Sequence, residues 1–403
     1  MGTRLDKTSL SQRRWDIDWL RVMAVVVLLV PYHTFRVFDI FEDWYIKNDQ
    51  LSTALNWFNY LGDAVGMQLL FLLAGAATWF ALRRRSGGQY AWERIKRLLI
   101  PLIFGLLVIV PPQSYLGLRN HSDYMGSFLE WYPSFFDFYP EDPAGYSMGG
   151  FTVAHLWFIL FLLIISLIAL PLFVYLRRES GHRLIGETAR FFKWPGMILL
   201  LVIPIIIAER LLNFYPNPIY FLVFFIYGYV LMSDTLFEAA IDRSKRAALI
   251  LGLVAFALFI VWKDLGLGSQ FNIPEWFWGI AYRRCIVSWF LIVAMLGYGK
   301  KYLNSPPKRR SSLLFLGYFG EGSYPFYILH QTVIVFIAYF IVQWATGVTA
   351  KYLIIAVAAY LATIILYDLL VRRTNVTRFL FGMRPLKQRS PEKPSPRPGK
   401  STA

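Results

Sequence analysis

Long apolar stretches recur along almost the whole chain, and this repetition restricts the fold more than any motif does. A membrane-spanning helix needs about 20 apolar residues. Stretches of or near that length cover residues 18–38, 53–82, 97–114, 152–176, 195–212, 218–233, 246–263, 277–299, 323–345 and 350–371. Of the 403 residues, 57% are hydrophobic and only 16% are charged, which is more apolar surface than a soluble core can bury. The sequence therefore predicts an all-α polytopic membrane protein, a bundle of about ten transmembrane helices.

The segments between the spans are of two kinds, and their charges predict an orientation. Most of the 41 Lys and Arg residues lie in alternate segments, namely 1–14, 83–97, 177–193, 243–246, 300–310 and 372–400. Loop 115–151, on the other side, is acidic and aromatic. Lys and Arg favour the cytoplasmic side of short loops. We therefore expect both termini to be cytoplasmic and the protein to lie in the cytoplasmic, or inner, membrane.

The same pattern predicts the domain organisation. We expect a cytoplasmic tail over 1–17, one membrane domain over 18–386, and a disordered cytoplasmic tail over 387–403, which is rich in Pro, Ser and Lys. The run 311–345 is too long for one crossing, so an interfacial helix is expected before the ninth span.

Composition and motifs argue against several other functions. The net charge of +16 is spread between apolar runs instead of forming one basic face, which argues against a nucleic-acid partner. The single Cys285 excludes a disulfide framework and a cysteine-based metal site. The chain has no G-x-G-x-x-G, G-x-x-x-x-G-K-[ST], H-E-x-x-H or G-x-S-x-G motif. Nucleotide hydrolysis and zinc catalysis lack support, and we expect no metal.

The first span carries two ionisable residues, Arg21 near its start and His33 deep inside it. Twelve helical steps separate them, or ~18 Å of a ~30 Å hydrocarbon core. Ionisable groups at such depth are costly and are functional candidates by default. Pro31 should bend the helix beside His33 and free a carbonyl group. These features favour a functional role for His33 over packing alone.

Polar residues in and beside the spans fall into two predicted layers. The cytoplasmic layer is basic and comprises Arg21, Arg94, Arg97, a turn at 321–324 before the ninth span and, a little deeper, His330. The outer layer predicts an acid–base pocket and comprises His33, Asp63, His155, Glu209, Arg210, Arg283 and Arg284.

Several of these residues also have a simpler explanation. Arg94 and Arg97 share one helix face, where two guanidinium groups can bind phosphate oxygens, but such a run is also typical of a membrane anchor. His155 is more typical of a helix rim than of a catalyst, and His330 can simply hydrogen-bond a neighbouring helix. Asp63, at a depth close to that of His33, can fix the tautomer of the imidazole or simply lie in a hydrated vestibule.

Short segments spread from the first span to the C-terminal region together carry a family resemblance. They are Asp18-Trp-Leu-Arg21 with Pro31-Tyr-His33, Met67-Gln-Leu-Leu-Phe-Leu-Leu-Ala-Gly75, Arg94-x-x-Arg97 with Ile100-Pro101, His155-Leu-Trp-Phe158, Ser323-Tyr-x-x-Tyr-x-Leu-His330, Leu366-Tyr-Asp368 and Arg378-Phe-Leu-Phe-Gly382. With these segments the chain resembles the acyltransferase 3 family of membrane-bound O-acyltransferases. Within that family it is similar to the glucan biosynthesis protein C branch, which succinylates periplasmic glucans.

The resemblance implies an O-acyltransferase that moves a succinyl or acetyl group from cytoplasmic acyl-CoA to a hydroxyl of a periplasmic glycan. It gives His33 the catalytic role, as a general base or as a transient acyl carrier. Arg21 and Asp63 are expected to assist it. Residues expected to bind acyl-CoA are Arg94, Arg97, Ser323, Tyr324 and His330. Expected acceptor-side residues are His155, Trp157, Arg210, Arg283 and Arg284.

One departure from the family pattern concerns the first span. Relatives usually have ten residues between the Arg and His of this helix, whereas Arg21 and His33 are separated by eleven, a rotation of ~100°. A π-turn near Pro31 would absorb the extra residue. The acid at the end of the tenth span is Asp368, where relatives often have Glu.

A transporter or exporter of a small anionic or sugar-like solute is the alternative function. Ionisable residues within the membrane and broken helices also mark transport pathways. CoA binding that is lost in Arg94→Ala and Arg97→Ala would favour the enzyme. Flux of an intact solute without thioester consumption would favour the transporter. The sequence predicts no oligomeric state.

Overall fold

The computed structural model describes residues 13–40, 43–212, 214, 216–267, 282 and 284–386. All regular structure in these residues is helical. The main helices are α1 Trp15–Phe35, α2 Thr53–Leu82, α3 Gly87–His121, α4 Ala154–Ile168, α5 Leu170–Leu176, α6 Glu179–Phe191, α7 Val202–Leu211, α8 Pro218–Leu231, α9 Thr235–Asp264, α10 Arg284–Leu303, α11 Arg310–Ile341, α12 Val348–Val371 and α13 Asn375–Leu380. The predicted disordered tail, 387–403, lies outside the described residues.

The helix lengths confirm a polytopic, all-α membrane protein. Seven described helices are long and apolar enough to cross a membrane: α1, α2, α3, α9, α10, α11 and α12. If α4 and α5, which meet at a bend of 45°, together form one span, the number of candidate spans in the described residues is eight. Helix α8 is a shorter apolar helix. The count of ten spans and the orientation of the termini remain predictions.

Two predicted boundaries agree with the structure to different degrees. Helix α2 covers the predicted span 53–82 residue for residue. Helix α3 is longer than the predicted span 97–114: it begins at Gly87, where Ser86 and Gln89 form a reciprocal N-terminal cap, and it ends at His121. Arg94 and Arg97 therefore lie inside the helix and not at its start.

The predicted interfacial helix before the ninth span is wrong. Residues 310–341 form one continuous helix, α11, which is 32 residues or ~48 Å long. The segment 321–324, predicted as a turn, lies within it, and Pro325 does not interrupt it. Proline is tolerated in helices of membrane proteins where neighbouring groups satisfy the freed backbone. One rigid helix therefore runs from one end of the bundle into its centre.

Helices α2 and α8 cross at very close range. A Cβ atom at Gly75 would lie 1.9 Å from the Phe225 carbonyl oxygen, and one at Gly228 would lie 1.8 Å from the Leu72 carbonyl oxygen. Small residues allow the backbones of membrane helices to approach in this way. The segment Met67–Gly75, which carries part of the family resemblance, is thus a packing motif.

Helix α1 contains a π-helical segment, Met23–Leu28, between Arg21 and His33. Such a segment accommodates an extra residue and is frequent at functional sites. The irregularity expected near Pro31 is therefore present, but it lies before the proline.

The two ends of the bundle carry different elements. We call the end where α1 begins the basic end: there Glu238 of α9 binds both Arg14 and Lys300. We call the opposite end, which carries segments 36–40, 43–52 and 122–153, the loop end. Helices α1, α3 and α11 run from the basic end toward the loop end.

Candidate active site

Helices α1 and α11 bring two histidines into contact in the interior of the bundle. The His33 Nδ1 atom lies 2.9 Å from His330 Nε2, and the ring centroids are 4.8 Å apart. His33 is 8% exposed and His330 is fully buried. The prediction that these residues belong to opposite layers is wrong, because they form one pair. Helix α11 begins at Arg310 and not at residue 323, so His330 lies further from the start of its helix, and deeper in the bundle, than the sequence predicts.

The hydrogen bonds of this pair select one tautomer for each neutral ring. His330 Nδ1 lies 2.6 Å from the Tyr327 carbonyl oxygen, which can only accept, so this nitrogen carries the hydrogen. The lone pair of neutral His330 is then on Nε2, where it accepts a hydrogen bond from His33 Nδ1–H. The remaining nitrogen of His33, Nε2, is left unprotonated. A base or nucleophile needs this state.

A third histidine lies against the pair. The rings of His155 and His330 have centroids 5.3 Å apart and are nearly perpendicular. His155 Nε2 donates to the Ile328 carbonyl oxygen at 2.9 Å, and the Tyr327 hydroxyl donates to the His155 carbonyl oxygen. His155 therefore lies in the interior, 5% exposed, and not at a hydrated rim. Its neighbour Trp157 is half-buried and packs on Phe71 and Phe221.

A buried amide network supports His155 from α3 and α11. The Gln113 side-chain nitrogen lies 3.5 Å from His155 Nδ1 and donates to the Thr332 hydroxyl at 2.7 Å. Gln331 donates to the Gln113 side-chain oxygen at 2.9 Å. Gln113, Gln331 and Thr332 are not among the site residues predicted from the sequence. The two glutamines could have been identified from the sequence, because an uncharged amide within an apolar span needs a hydrogen-bond partner there.

Arg21 and His33 face the same helix, α11, in spite of the extra residue between them. A Cβ atom at Gly320 would lie 3.9 Å from Arg21 Nη2, and ten residues further along α11 His330 bonds His33. Arg21 also donates to Asp18 at 3.2 Å. Because of the π-helical segment, the twelve-residue interval from Arg21 to His33 on α1 lies alongside the ten-residue interval from Gly320 to His330 on α11.

Arg94 and Arg97 lie at the basic end of α3, beside Tyr324 of α11. Arg94 Nη2 donates to the Thr78 hydroxyl at 3.1 Å, and its guanidinium lies 5.0 Å from the centre of the Tyr90 ring. Arg97 Nε donates to the Gly382 carbonyl oxygen at 3.3 Å. Both arginine charges act on Tyr324, whose hydroxyl is buried and has no hydrogen-bond partner among the described residues. The hydroxyl of the adjacent Ser323 donates to the Phe319 carbonyl oxygen at 2.6 Å.

Two residues of the predicted outer layer meet in a buried ion pair. Arg284 of α10 and Glu209 of α7 form a buried ion pair at 2.6 Å, and Asp63 lies close enough for its charge to act on Glu209. Asp63 also has the depth expected of it, since a Cβ atom at the preceding Gly62 would lie 2.2 Å from the Tyr32 ring. Arg210 is exposed at the end of α7, and Arg283 lies outside the described residues.

The tautomer-fixing contact that the sequence suggested for Asp63 is made by another residue. His330 is the hydrogen-bond partner of His33 Nδ1. Arg36 supplies the main positive charge acting on His33. Among the described residues no group of three or more His, Cys, Asp and Glu side chains is arranged to hold a metal ion.

Comparison with known proteins bears on what this arrangement does. The model of a family described as an acyltransferase domain matches residues 14–371, most of the chain and all of its candidate spans. The chain belongs to the acyltransferase 3 family. It is 21% identical over 396 residues to "Glucans biosynthesis protein C" of Salmonella paratyphi B (strain ATCC BAA-1250 / SPB7), an alignment that covers 94% of this chain and 97% of the relative. The protein of the same name from Salmonella schwarzengrund (strain CVM19633) is 21% identical over 395 residues with the same coverage. No solved structure gives a significant match.

Proposed function

We propose that this membrane acyltransferase moves a succinyl or acetyl group from cytoplasmic acyl-CoA to a hydroxyl group of an extracytoplasmic glycan across the inner membrane. One observation supports this most: α11 carries both Tyr324, beside the two arginines of α3, and His330, bonded to His33. Six helical steps separate Tyr324 from His330, or ~9 Å along the axis. A CoA molecule whose phosphates lie on Arg94 and Arg97 would extend its pantetheine arm along α11 toward His33.

In the first version of the reaction, His33 is a general base. Its Nε2 takes the proton of the acceptor hydroxyl while the hydroxyl oxygen attacks the thioester carbonyl carbon. The C–S bond then breaks, and the imidazolium returns its proton to the CoA thiolate. While His33 is charged, its Nδ1–H bond to His330 is charge-assisted and therefore stronger. The histidine pair thus stabilises the charge that the reaction creates.

In the second version, His33 carries the acyl group for part of the cycle. Its Nε2 attacks the thioester carbonyl carbon, the C–S bond breaks, and CoA leaves as the thiolate. The acceptor hydroxyl then attacks the acyl-imidazolium, its proton passes to the CoA thiolate, and neutral His33 is regenerated. The tautomer that suits this version is the same, because the nucleophile is again the unprotonated Nε2. Intact-protein mass spectrometry after mixing with acyl-CoA in the absence of acceptor distinguishes the two: an acyl adduct that disappears in His33→Ala supports the carrier.

The loop end would receive the acceptor. Arg36, whose charge acts on His33, is the nearest candidate to stabilise the oxyanion. The Glu209–Arg284 pair and Asp63 provide polar groups suited to sugar hydroxyls, and the relatives named glucans biosynthesis protein C support a glucan as the acceptor class. Asp63→Asn is expected to lower turnover while leaving the protein level and CoA binding unchanged.

Reconstituted vesicles test the proposal. Acyl-CoA with a labelled acyl group is supplied on the side of the basic end and an oligosaccharide acceptor on the other. Label should appear on the oligosaccharide with wild-type protein and with His182→Ala, an exposed histidine of α6, but not with His33→Ala. Comparison of succinyl-CoA with acetyl-CoA identifies the acyl group. Release of CoA without labelled acceptor, or movement of an intact solute without thioester consumption, would contradict the proposal.

A further inference from the structure

The chain after α12 folds back onto the basic end, and one buried arginine holds it there. We call residues 372–386 the C-terminal arm. Arg378 is only 3% exposed, and its guanidinium binds the Glu321 carboxylate of α11. The same side chain donates to the Arg384 carbonyl oxygen at 2.6 Å and to the Arg372 carbonyl oxygen at 3.3 Å. Both parts of the arm are thereby fixed to the helix that carries Tyr324.

The turn of the arm is pressed against Arg97 and Tyr324. Gly382 has φ +66°, a left-handed conformation that favours glycine. A Cβ atom there would lie 2.6 Å from the Arg97 carbonyl oxygen and 2.7 Å from the Tyr324 ring. The Gly382 carbonyl oxygen accepts the hydrogen bond from Arg97 Nε, and the ring of Phe381 packs edge-on against Phe104 of α3.

This turn places a third arginine beside Arg94 and Arg97. Arg384 is exposed, and its charge acts on Arg97 together with that of Arg94. Within the described part of the chain none of the three forms an ion pair with a carboxylate. Glu93, the nearest acid that acts on Arg97, is itself paired with Arg85 at 3.1 Å. Like charges that act on one another repel unless an anion lies between them, and arginine suits phosphate oxygens.

We propose that the C-terminal arm forms one wall of the acyl-CoA phosphate site, with Arg384 as a third phosphate-binding residue and Arg378 as the positioning residue that holds it there. The inference rests on the proposed function, because it takes the ligand to be the phosphoryl groups of coenzyme A. Residues that follow α12 would then bind the ligand, a role that the two-arginine motif of α3 does not indicate.

CoA binding to full-length protein in nanodiscs of phosphatidylcholine tests the inference. Arg384→Ala should weaken CoA binding by roughly tenfold, the effect of one charge-assisted contact. Arg384→Lys should lose less, since it keeps the charge but not the planar fork. Arg373→Ala is the matched control: this arginine lies in the same arm but is exposed and pairs with Asp368 at 3.8 Å, so CoA binding should not change.

The outcomes separate the inference from the function on which it rests. If wild-type protein and Arg373→Ala bind CoA and Arg384→Ala binds it equally tightly, the role of Arg384 is wrong while the proposed donor stands. If wild-type protein binds no CoA, the proposed donor is wrong. An effect of Arg384→Ala that requires phosphatidylglycerol in the nanodisc would show that the residue binds lipid headgroups, and it would also overturn the inference.

Discussion

A neutral histidine has one lone pair, and at His33 the neighbouring groups decide which nitrogen carries it. The Tyr327 carbonyl oxygen requires a hydrogen on His330 Nδ1, and His330 Nε2 in turn requires one on His33 Nδ1. A backbone carbonyl of α11 therefore acts on the chemical state of a side chain on α1. The influence passes through His330, and the Leu29 backbone also hydrogen-bonds His33. His330 is the residue at which the influence of α11 can be tested.

Replacement of His330 should separate orientation from substrate binding. His330→Ala removes the acceptor that the His330 ring offers to His33 Nδ1–H, and turnover should fall about 100-fold, the lower end of the range for acid–base catalysis. His330→Gln should keep more activity, because its side-chain oxygen can accept the same hydrogen bond. Turnover in detergent, measured together with the CoA dissociation constant, provides the test. The dissociation constant should not change, and His182→Ala serves as the control. Full turnover in His330→Ala would show that the tautomer is set in another way.

At this scale the sequence predicts the depth of a residue along its helix better than its contacts with other helices. The depth of His33 and the three-residue spacing of Arg94 and Arg97 follow from helical geometry and could be derived directly. The place of His330 could not, because it depends on where α11 begins, and the apolar run 323–345 suggested a start 13 residues later than the true one at Arg310. A contact between helices, such as that of His33 with His330, depends on how each helix is rotated about its own axis. The sequence of one helix does not determine that rotation relative to its neighbour.

Among the helices, the proposed reaction depends most on the π-helical segment of α1. Its π-helical segment absorbs the eleventh residue between Arg21 and His33. Deletion of Val27, an exposed residue within this segment, should convert it to a regular α-helix and keep turnover within about threefold of wild type. Insertion of one alanine after Val27 should abolish turnover, because a second extra residue rotates His33 by ~100° away from His330. Activity of the two variants in membranes tests this. Equal loss in both would mean that the π-helical segment itself is required.

The crossing of α2 and α8 should be the least tolerant of added volume. In Gly228→Ala the new methyl group meets the Leu72 carbonyl oxygen, so the helices must separate, at a cost of about 1–3 kcal/mol. Gly66→Ala on α2 is the matched control, since nothing lies within 4 Å of its Cβ position. Thermal unfolding of purified protein in detergent measures the difference. A melting temperature for Gly228→Ala equal to that of Gly66→Ala would contradict the close crossing.

For the whole molecule, the proposed reaction requires that its two ends face different compartments. The arginines proposed to bind phosphate lie at the basic end, and segments 36–40, 43–52 and 122–153 lie at the other. Charge distribution predicts that the basic end is cytoplasmic, where acyl-CoA is available. If the predicted orientation is wrong, the proposed direction of acyl transfer is therefore wrong as well.

Cysteine labelling in cells tests this orientation without removal of the native thiol, because Cys285 is buried. Met125→Cys, at an 81% exposed position in segment 122–153, should react with a membrane-impermeant maleimide once the outer barrier of the cell is opened. Arg373→Cys, on the C-terminal arm, should react only after the inner membrane is also permeabilised. The reverse pattern would place Arg94, Arg97 and Arg384 away from the cytoplasm. Cytoplasmic acyl-CoA could then not be the donor, although His33 and His330 would keep the same chemistry.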